Sequence, residues 1–372
     1  MIERSTVAPD WRPRSEAWLD KQPSPFAGAP ERPLFIGACP RSGTTLLRLM
    51  LDNHPELAIP HETNFVRQLW WQRVRFGDLR EPANRRRVAE WIFTEKGRRG
   101  ARLRGGRVSR QAAIRRVSDA PPTVGSIVQE CLRLYAELHG KPRWGDKRPA
   151  YSGFIGMLFE MFPDAQYVNL VRDPRGAVAS QLQMGWDAPD VAVAAATARW
   201  EGAIRRTDHF ARRLRPDQFL DLRYEDMVGD PAAALERICA FAGLRADGAI
   251  EAMIGGRRRH GRVGGPNERL AGPVTTASVE RWRERLAPHE VALVERATAP
   301  LLARFGYLPA DALRADPAPH DLRELARQRR ISRREWRSSQ RGELLRRVAY
   351  RRPVAAEHGV KRSPASVRLP EP

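Results

Sequence analysis

The chain has 372 residues, 42% of them hydrophobic, enough for one large domain or two small ones around a sizeable core. Its formal charge of +21 first points to nucleic acid or an anionic surface. The three cysteines, Cys39, Cys131 and Cys239, are odd in number and far apart in apolar surroundings, which excludes a disulfide framework.

The charge is unevenly placed. Between Arg75 and Arg116 there are 14 basic and 4 acidic residues, a net of +10, and from Asp311 to Pro372 there are 16 and 8, a net of +8. Only +3 is left for the rest, so the body of the chain is close to neutral. Of the 65 basic residues five are Lys: Lys21, Lys96, Lys141, Lys147 and Lys361. An arginine-rich composition explains much of the charge, and each Lys gains weight.

In chain order, residues 1–32 are rich in Pro and charge and predict a mobile arm. The apolar run at 34–38 predicts a buried strand. The loop Cys39-Pro40-Arg41-Ser42-Gly43-Thr44-Thr45 follows, then an apolar helix from Leu46 to about Asn53. Residues 57–63 read as extended and carry Glu62. Residues 65–93 have helical spacing, 97–116 read as an exposed Arg/Gly-rich excursion, and 124–138 as an amphipathic helix. A short strand ends at Asp146 and Lys147, and a helix covers 154–162. A strand at 165–171 leads to Asp173-Pro174, an N-cap with a first-turn Pro, opening a helix through Ser180. A long helix at 191–214, a strand at 218–223 and a helix at 231–241 follow.

Alternating strands and helices predict an α/β fold: a P-loop-like parallel sheet with helices on both faces. The expected organisation is an arm at 1–32, one domain at 33–310 with a basic excursion at about 75–118, and a basic tail at 311–372, partly helical or disordered. The tail's apolar face is thin, so a solvated tail is favoured over one docked on an anionic partner. No run approaches the ~20 apolar residues of a membrane span. The N-terminus has no apolar signal core, which predicts a cytoplasmic location. The eight His residues show no metal-ligand spacing, so no metal is expected.

A strand, a small-residue loop and a helix make a phosphate cradle of loop N–H groups and helix dipole. The nucleotide-triphosphatase pattern G-x-x-x-x-G-K-[ST] is not met. Five residues separate Gly37 from Gly43, Thr44 stands in the Lys position, and the cation is Arg41. In a parallel sheet ligands bind beyond the strand carboxyl ends. Arg41, Lys147, Arg172 and Tyr224 all follow predicted strands.

PRSGTTLL followed by LDNHPE and HET resembles the 5′-phosphosulfate loop of sulfotransferases that use 3′-phosphoadenosine 5′-phosphosulfate (PAPS). The resemblance is to the branch with the protein-tyrosine sulfotransferases and their bacterial relatives, and runs with gaps from about Pro33 to Tyr307. It implies sulfuryl transfer to an acceptor hydroxyl, on a small molecule, sugar, lipid or peptide. It implies donor binding by Arg41, Ser42, Gly43, Thr44 and Thr45 at the 5′ end. Arg172 and Ser180, in a motif with an Arg and a Ser eight residues on, would hold the 3′-phosphate. Tyr224, in Tyr-Glu-Asp, would contact the nucleotide. It further implies Glu62 as base, with His61 as rival, and Lys147 and Arg41 at the leaving group. One departure stands out: where the tyrosylprotein branch has Lys-Pro-Val, this chain has Gly272-Pro273-Val274, leaving Arg257 to Arg259 or Arg262 as substitutes. Ser278 to Trp282 resembles the start of the family's last helix. The rival readings are a P-loop kinase or NTPase and a basic nucleic-acid-binding protein.

Overall fold

The computed structural model describes residues 32–94, 103, 108–255, 272–307 and 316–356. The expected arm, except Arg32, and the arginines at 257–259 and 262 lie outside the described residues. Five strands form one all-parallel sheet: β1 (Leu34–Ala38), β2 (Leu57–Ala58), β3 (Arg143–Lys147), β4 (Gln166–Val171) and β5 (Phe219–Arg223), in the order β2-β3-β1-β4-β5. The first strand is therefore central, flanked by β3 and β4. The chain builds outward to both sides from β1, and the loops beyond its carboxyl end stand where the strand order reverses.

Alternation along the strands sorts the core into two layers. Leu34 and Ile36, with Val168, Leu170 and Leu222, face helix α1 (Thr44–Leu51). The same layer takes α9 (Tyr224–Gly229), α10 (Pro231–Ala242) and α11 (Ile250–Gly255), through Met227, Leu235, Ile238 and Met253. Phe35 and Tyr167 face the other way, against α2 (Phe65–Gln72), α5 (Val124–Leu138) and α6 (Ile155–Met161). Each large apolar side chain so buried contributes about 1.5–3 kcal/mol.

Strand β3, Arg-Trp-Gly-Asp-Lys, is buried throughout although three of its five residues are charged. Each charge has partners, as burial demands. Arg143 donates to the carbonyls of Arg32 and Ala242 and to Gln166, Asp146 accepts from Thr63 and Tyr151, and Lys147 pairs with Glu62. Arg32, the last residue of the expected arm, is itself fixed by Asp164 and Asp217.

Three expectations need correction. Residues 65–93 are not one helix: α2 ends at Gln72, a tight turn covers Arg73–Phe76, and α3 spans Pro82–Thr94. Gly77 and Pro82 bracket the break. The basic excursion is not loose at its C-terminal end. In α4 (Arg110–Ser118), Ala112, Ala113, Ile114 and Val117 are buried, and Arg116 bonds Glu130 and Glu137 of α5 at 2.6 Å each.

The tail is the third: it is helical in part, as expected, but it is docked on the body and not solvated. Residues Pro319–Ala349 form one 31-residue helix, α13, lying along α8 (Ala192–Ala211). Its inner face is held by few apolar groups and many polar ones. Leu325 packs among Ala194, Ala198 and Leu293 of α12 (Pro288–Arg304). Arg329 bonds Glu201 at 2.7 Å, and Trp336 packs edge-on against Phe210. Glu343 accepts from Trp70 at 2.9 Å and from Arg73 at 2.6 Å. Beyond the helix, Tyr350 and Ala356 enter the core. The Gly125 N–H donates to the Val354 carbonyl and the Ala356 N–H to the Met161 carbonyl. A side chain at position 125 would meet the Ala356 nitrogen at 2.4 Å, so only Gly lets the C-terminal segment pass.

Candidate functional site

The loop from β1 to α1 is held in an unusual backbone conformation. Gly43 has φ 96, and Arg41 has φ 71, a left-handed conformation that costs an L-residue about 1–2 kcal/mol. The Arg41 carbonyl accepts from Arg172 Nη1 at 3.1 Å, which holds the loop in that turn. Gly43 also touches the Tyr224 ring, and a Cβ there would lie 2.5 Å from it. Gly43→Ala should therefore lower thermal stability by roughly 2–4 kcal/mol, from left-handed strain plus overpacking. A melting temperature equal to wild type would show that the loop relaxes freely.

Three further strand ends supply the surrounding groups. Arg172 follows β4, on the turn into α7 (Pro174–Leu182) that Asp173 caps by accepting from the Arg175 N–H. Its guanidinium stacks 4.5 Å from the Tyr224 ring centroid and donates to the Ser278 carbonyl at 2.8 Å. Tyr224 follows β5, and its hydroxyl is 2.6 Å from Ser278 Oγ. Arg41 Nε donates to Ser180 Oγ of α7 at 3.3 Å. Lys147 ends β3; its Nζ donates to Glu62 Oε1 at 2.5 Å and to Thr45 Oγ1 at 3.4 Å.

All ten residues singled out in the sequence thus belong to one connected region, with one change of pairing. Ser180 bonds Arg41, where the sequence motif pairs it with Arg172. The neighbouring Arg175 is structural: it pairs with Asp173 at 2.6 Å and Glu295 at 2.5 Å and stacks on Trp282. His61 is exposed beside Glu62. Cys39 is buried, and burial pushes its thiol up to about 12, which suits a filler and not a nucleophile.

The electrostatics are those of an anion site. Among the described residues no carboxylate forms an ion pair with Arg41 or Arg172. Burial, and then the charge of Arg172, pull the Arg41 pKa down. A half-buried and a buried guanidinium side by side, with no carboxylate between them, favour an anionic ligand. Ser42 Oγ and Arg172 Nε are buried and, among the described residues, have no hydrogen-bond partner. Such orphaned donors fit a phosphate ligand.

Next to it stands an ion pair. Burial alone would raise the Glu62 carboxyl, but Lys147, with Arg148 and His61, outweighs it and holds the group below its ordinary value. Burial draws the Lys147 pKa down, partly offset by Glu62.

Sequence reasoning missed the groups behind this pair. Asp146, wholly buried, accepts from Thr63 Oγ1 at 2.6 Å and from the Tyr151 hydroxyl, and burial raises it to about 6. It ties the backbone carrying Glu62 to the strand carrying Lys147. Ser278 was also missed: its carbonyl accepts from Arg172 and its Oγ lies 2.6 Å from the Tyr224 hydroxyl, contacts that only the fold brings together. Residues 278–282 do not begin a helix: short turns cover Thr276–Ser278 and Arg281–Glu284, and α12 starts at Pro288. The stretch instead lies over Arg172 and Tyr224.

A family model described as the sulfotransferase family matches residues 33–248. Protein-tyrosine sulfotransferase A of Caenorhabditis elegans is 28% identical over 284 residues, 74% of this chain and 67% of that protein. The Drosophila melanogaster protein-tyrosine sulfotransferase is 26% identical, covering 75% of this chain, which spans only 52% of its length. The sulfotransferase domain of the Synechococcus PCC 7002 olefin synthase superposes with a TM-score of 0.53 at 26% identity, covering 75% of this chain and 97% of that domain.

Proposed function

Because this chain belongs to the sulfotransferase family, we propose that it takes a sulfuryl group from PAPS and delivers it to an acceptor hydroxyl, with a peptide tyrosine as first candidate. The observation that carries the donor assignment is the pair of uncompensated guanidiniums, Arg41 and Arg172, beside the Glu62–Lys147 ion pair. The names of the relatives support the tyrosine acceptor. The absence of Lys from Gly272-Pro273-Val274 argues for a different acceptor contact in that loop.

The residues divide the work. The loop from Arg41 to Thr45 holds the 5′ end of the donor with its N–H groups, Ser42 Oγ and Thr44. Arg172 and Ser180 hold the 3′-phosphate, and Tyr224 carries Arg172 on its ring face. When bound, the donor supplies an activated sulfuryl group and a phosphate leaving group. Glu62 accepts the proton of the acceptor hydroxyl, and Lys147 and Arg41 meet the charge that develops on the leaving oxygen. The Lys147 ammonium keeps Glu62 ionised, the form a base needs. Its depressed pKa means that rate is retained across neutral pH and falls only in acid, as the carboxylate protonates.

Two measurements test this. Labelled PAPS with tyrosine peptides, sugars, lipids and small phenols reads the acceptor class, and no transfer to any of them overturns the reading. Arg172→Ala should weaken 3′,5′-bisphosphoadenosine by about 1.5–3 kcal/mol in calorimetry, since a charge-assisted contact is lost. Wild-type affinity would remove Arg172 from the phosphate site.

A further inference from the structure

The outer face of α13 carries a pattern that the catalytic region does not use. Arg330, Arg334, Arg337 and Arg341 recur at spacings of four and three, then Leu344, Leu345 and Val348 continue the same stripe. Glu343 and Leu325 point inward on the opposite side. The four arginines are exposed, and none forms an ion pair with a described residue. Leu344, Leu345 and Val348 are 62%, 70% and 56% exposed, the most exposed large apolar side chains among the described residues. Val74, the neighbour in sequence of the Arg73 that grips Glu343, is also exposed at this end. At 1.5 Å per residue the stripe from Arg330 to Val348 is about 27 Å long.

We propose that this face of α13 docks the protein on an anionic lipid bilayer surface. The arginines would lie against lipid phosphates, while Leu344, Leu345 and Val348 enter the headgroup–acyl boundary. Charge complementarity selects an anionic partner, and the three apolar side chains select lipid over nucleic acid. A nucleic-acid face would place aromatic rings among the arginines. None of the seven residues is aromatic or touches the core, so the fold is indifferent to them.

The test is co-sedimentation of the full chain with vesicles of pure phosphatidylcholine and of phosphatidylcholine with phosphatidylglycerol. The wild type should bind the anionic vesicles and not the neutral ones. Arg334→Gln/Arg337→Gln/Arg341→Gln should lower the partition coefficient by roughly 100-fold, about fivefold per arginine. Leu344→Ser/Leu345→Ser/Val348→Ser should lower it at least about tenfold. Both variants should melt like the wild type. An unbound wild type overturns the proposal. So does an apolar variant that still binds like the wild type, or duplex DNA that strips the protein from vesicles and binds the apolar variant equally well.

Discussion

Glu62→Gln should lower turnover 10²- to 10⁴-fold, the range for removal of a general base. The amide keeps the shape and hydrogen-bonding reach of the carboxylate but takes up no proton. The substitution also frees Lys147, whose Nζ is bonded to Glu62 at 2.5 Å. An unpaired ammonium beside the phosphate loop favours anions, so 3′,5′-bisphosphoadenosine should bind as well as to the wild type or better. Weaker binding would mean that Glu62 shapes the loop. His61→Ala should retain most activity, because His61 is exposed and Glu62 makes the bond to Lys147. If His61→Ala is dead and Glu62→Gln active, the base is His61.

A chain ending at Ala310 should be insoluble or unfolded at 25 °C. Arg73, 1% exposed, would lose the Glu343 carboxylate. Breaking a buried ion pair on one side costs about 3–5 kcal/mol. Trp70 loses its acceptor in the same step. The seats of Leu325, Trp336, Tyr350 and Ala356 open to water, each a further loss of apolar burial. Against a total stability of about 5–15 kcal/mol the sum is decisive. Thermal and urea unfolding of the shortened chain measure it; a cooperative transition at the wild-type midpoint would show that the C-terminal segment is dispensable.

The sheet was readable where strands are apolar runs, as at Leu34–Ala38 and Gln166–Val171. It was readable at Asp173-Pro174 because an N-cap and a first-turn Pro leave a local signature. The arginines and Glu62 were found because they follow strand ends and sit in a recognisable motif. The helical spacing of α13 was legible but its docking was not, because the inner face relies on Arg329 and Glu343, polar groups satisfied by partners far off in sequence, and on a single ring, Trp336, set against Phe210. For the same reason Arg116 was taken for solvated charge, although two carboxylates of α5 hold it in place. Asp146 sits in a charged pentapeptide with nothing to mark it as buried, and its partners Thr63 and Tyr151 meet it only once the sheet has formed.

The central position of β1 has a consequence for how the chain acquires its shape. Leu34 pairs with Gly145 and Gln166, more than a hundred residues later. During synthesis the first strand and its glycine loop must wait until β3 and β4 have emerged, and Trp70 and Arg73 must wait for Glu343. Non-local parallel pairing carries a large loop-closure cost before any contact rewards it. Folding should therefore be slow and finish at the C-terminus, with the apolar faces of α1 and α2 open for most of translation. That interval is when such a chain is most prone to aggregate, and when a chaperone would matter most.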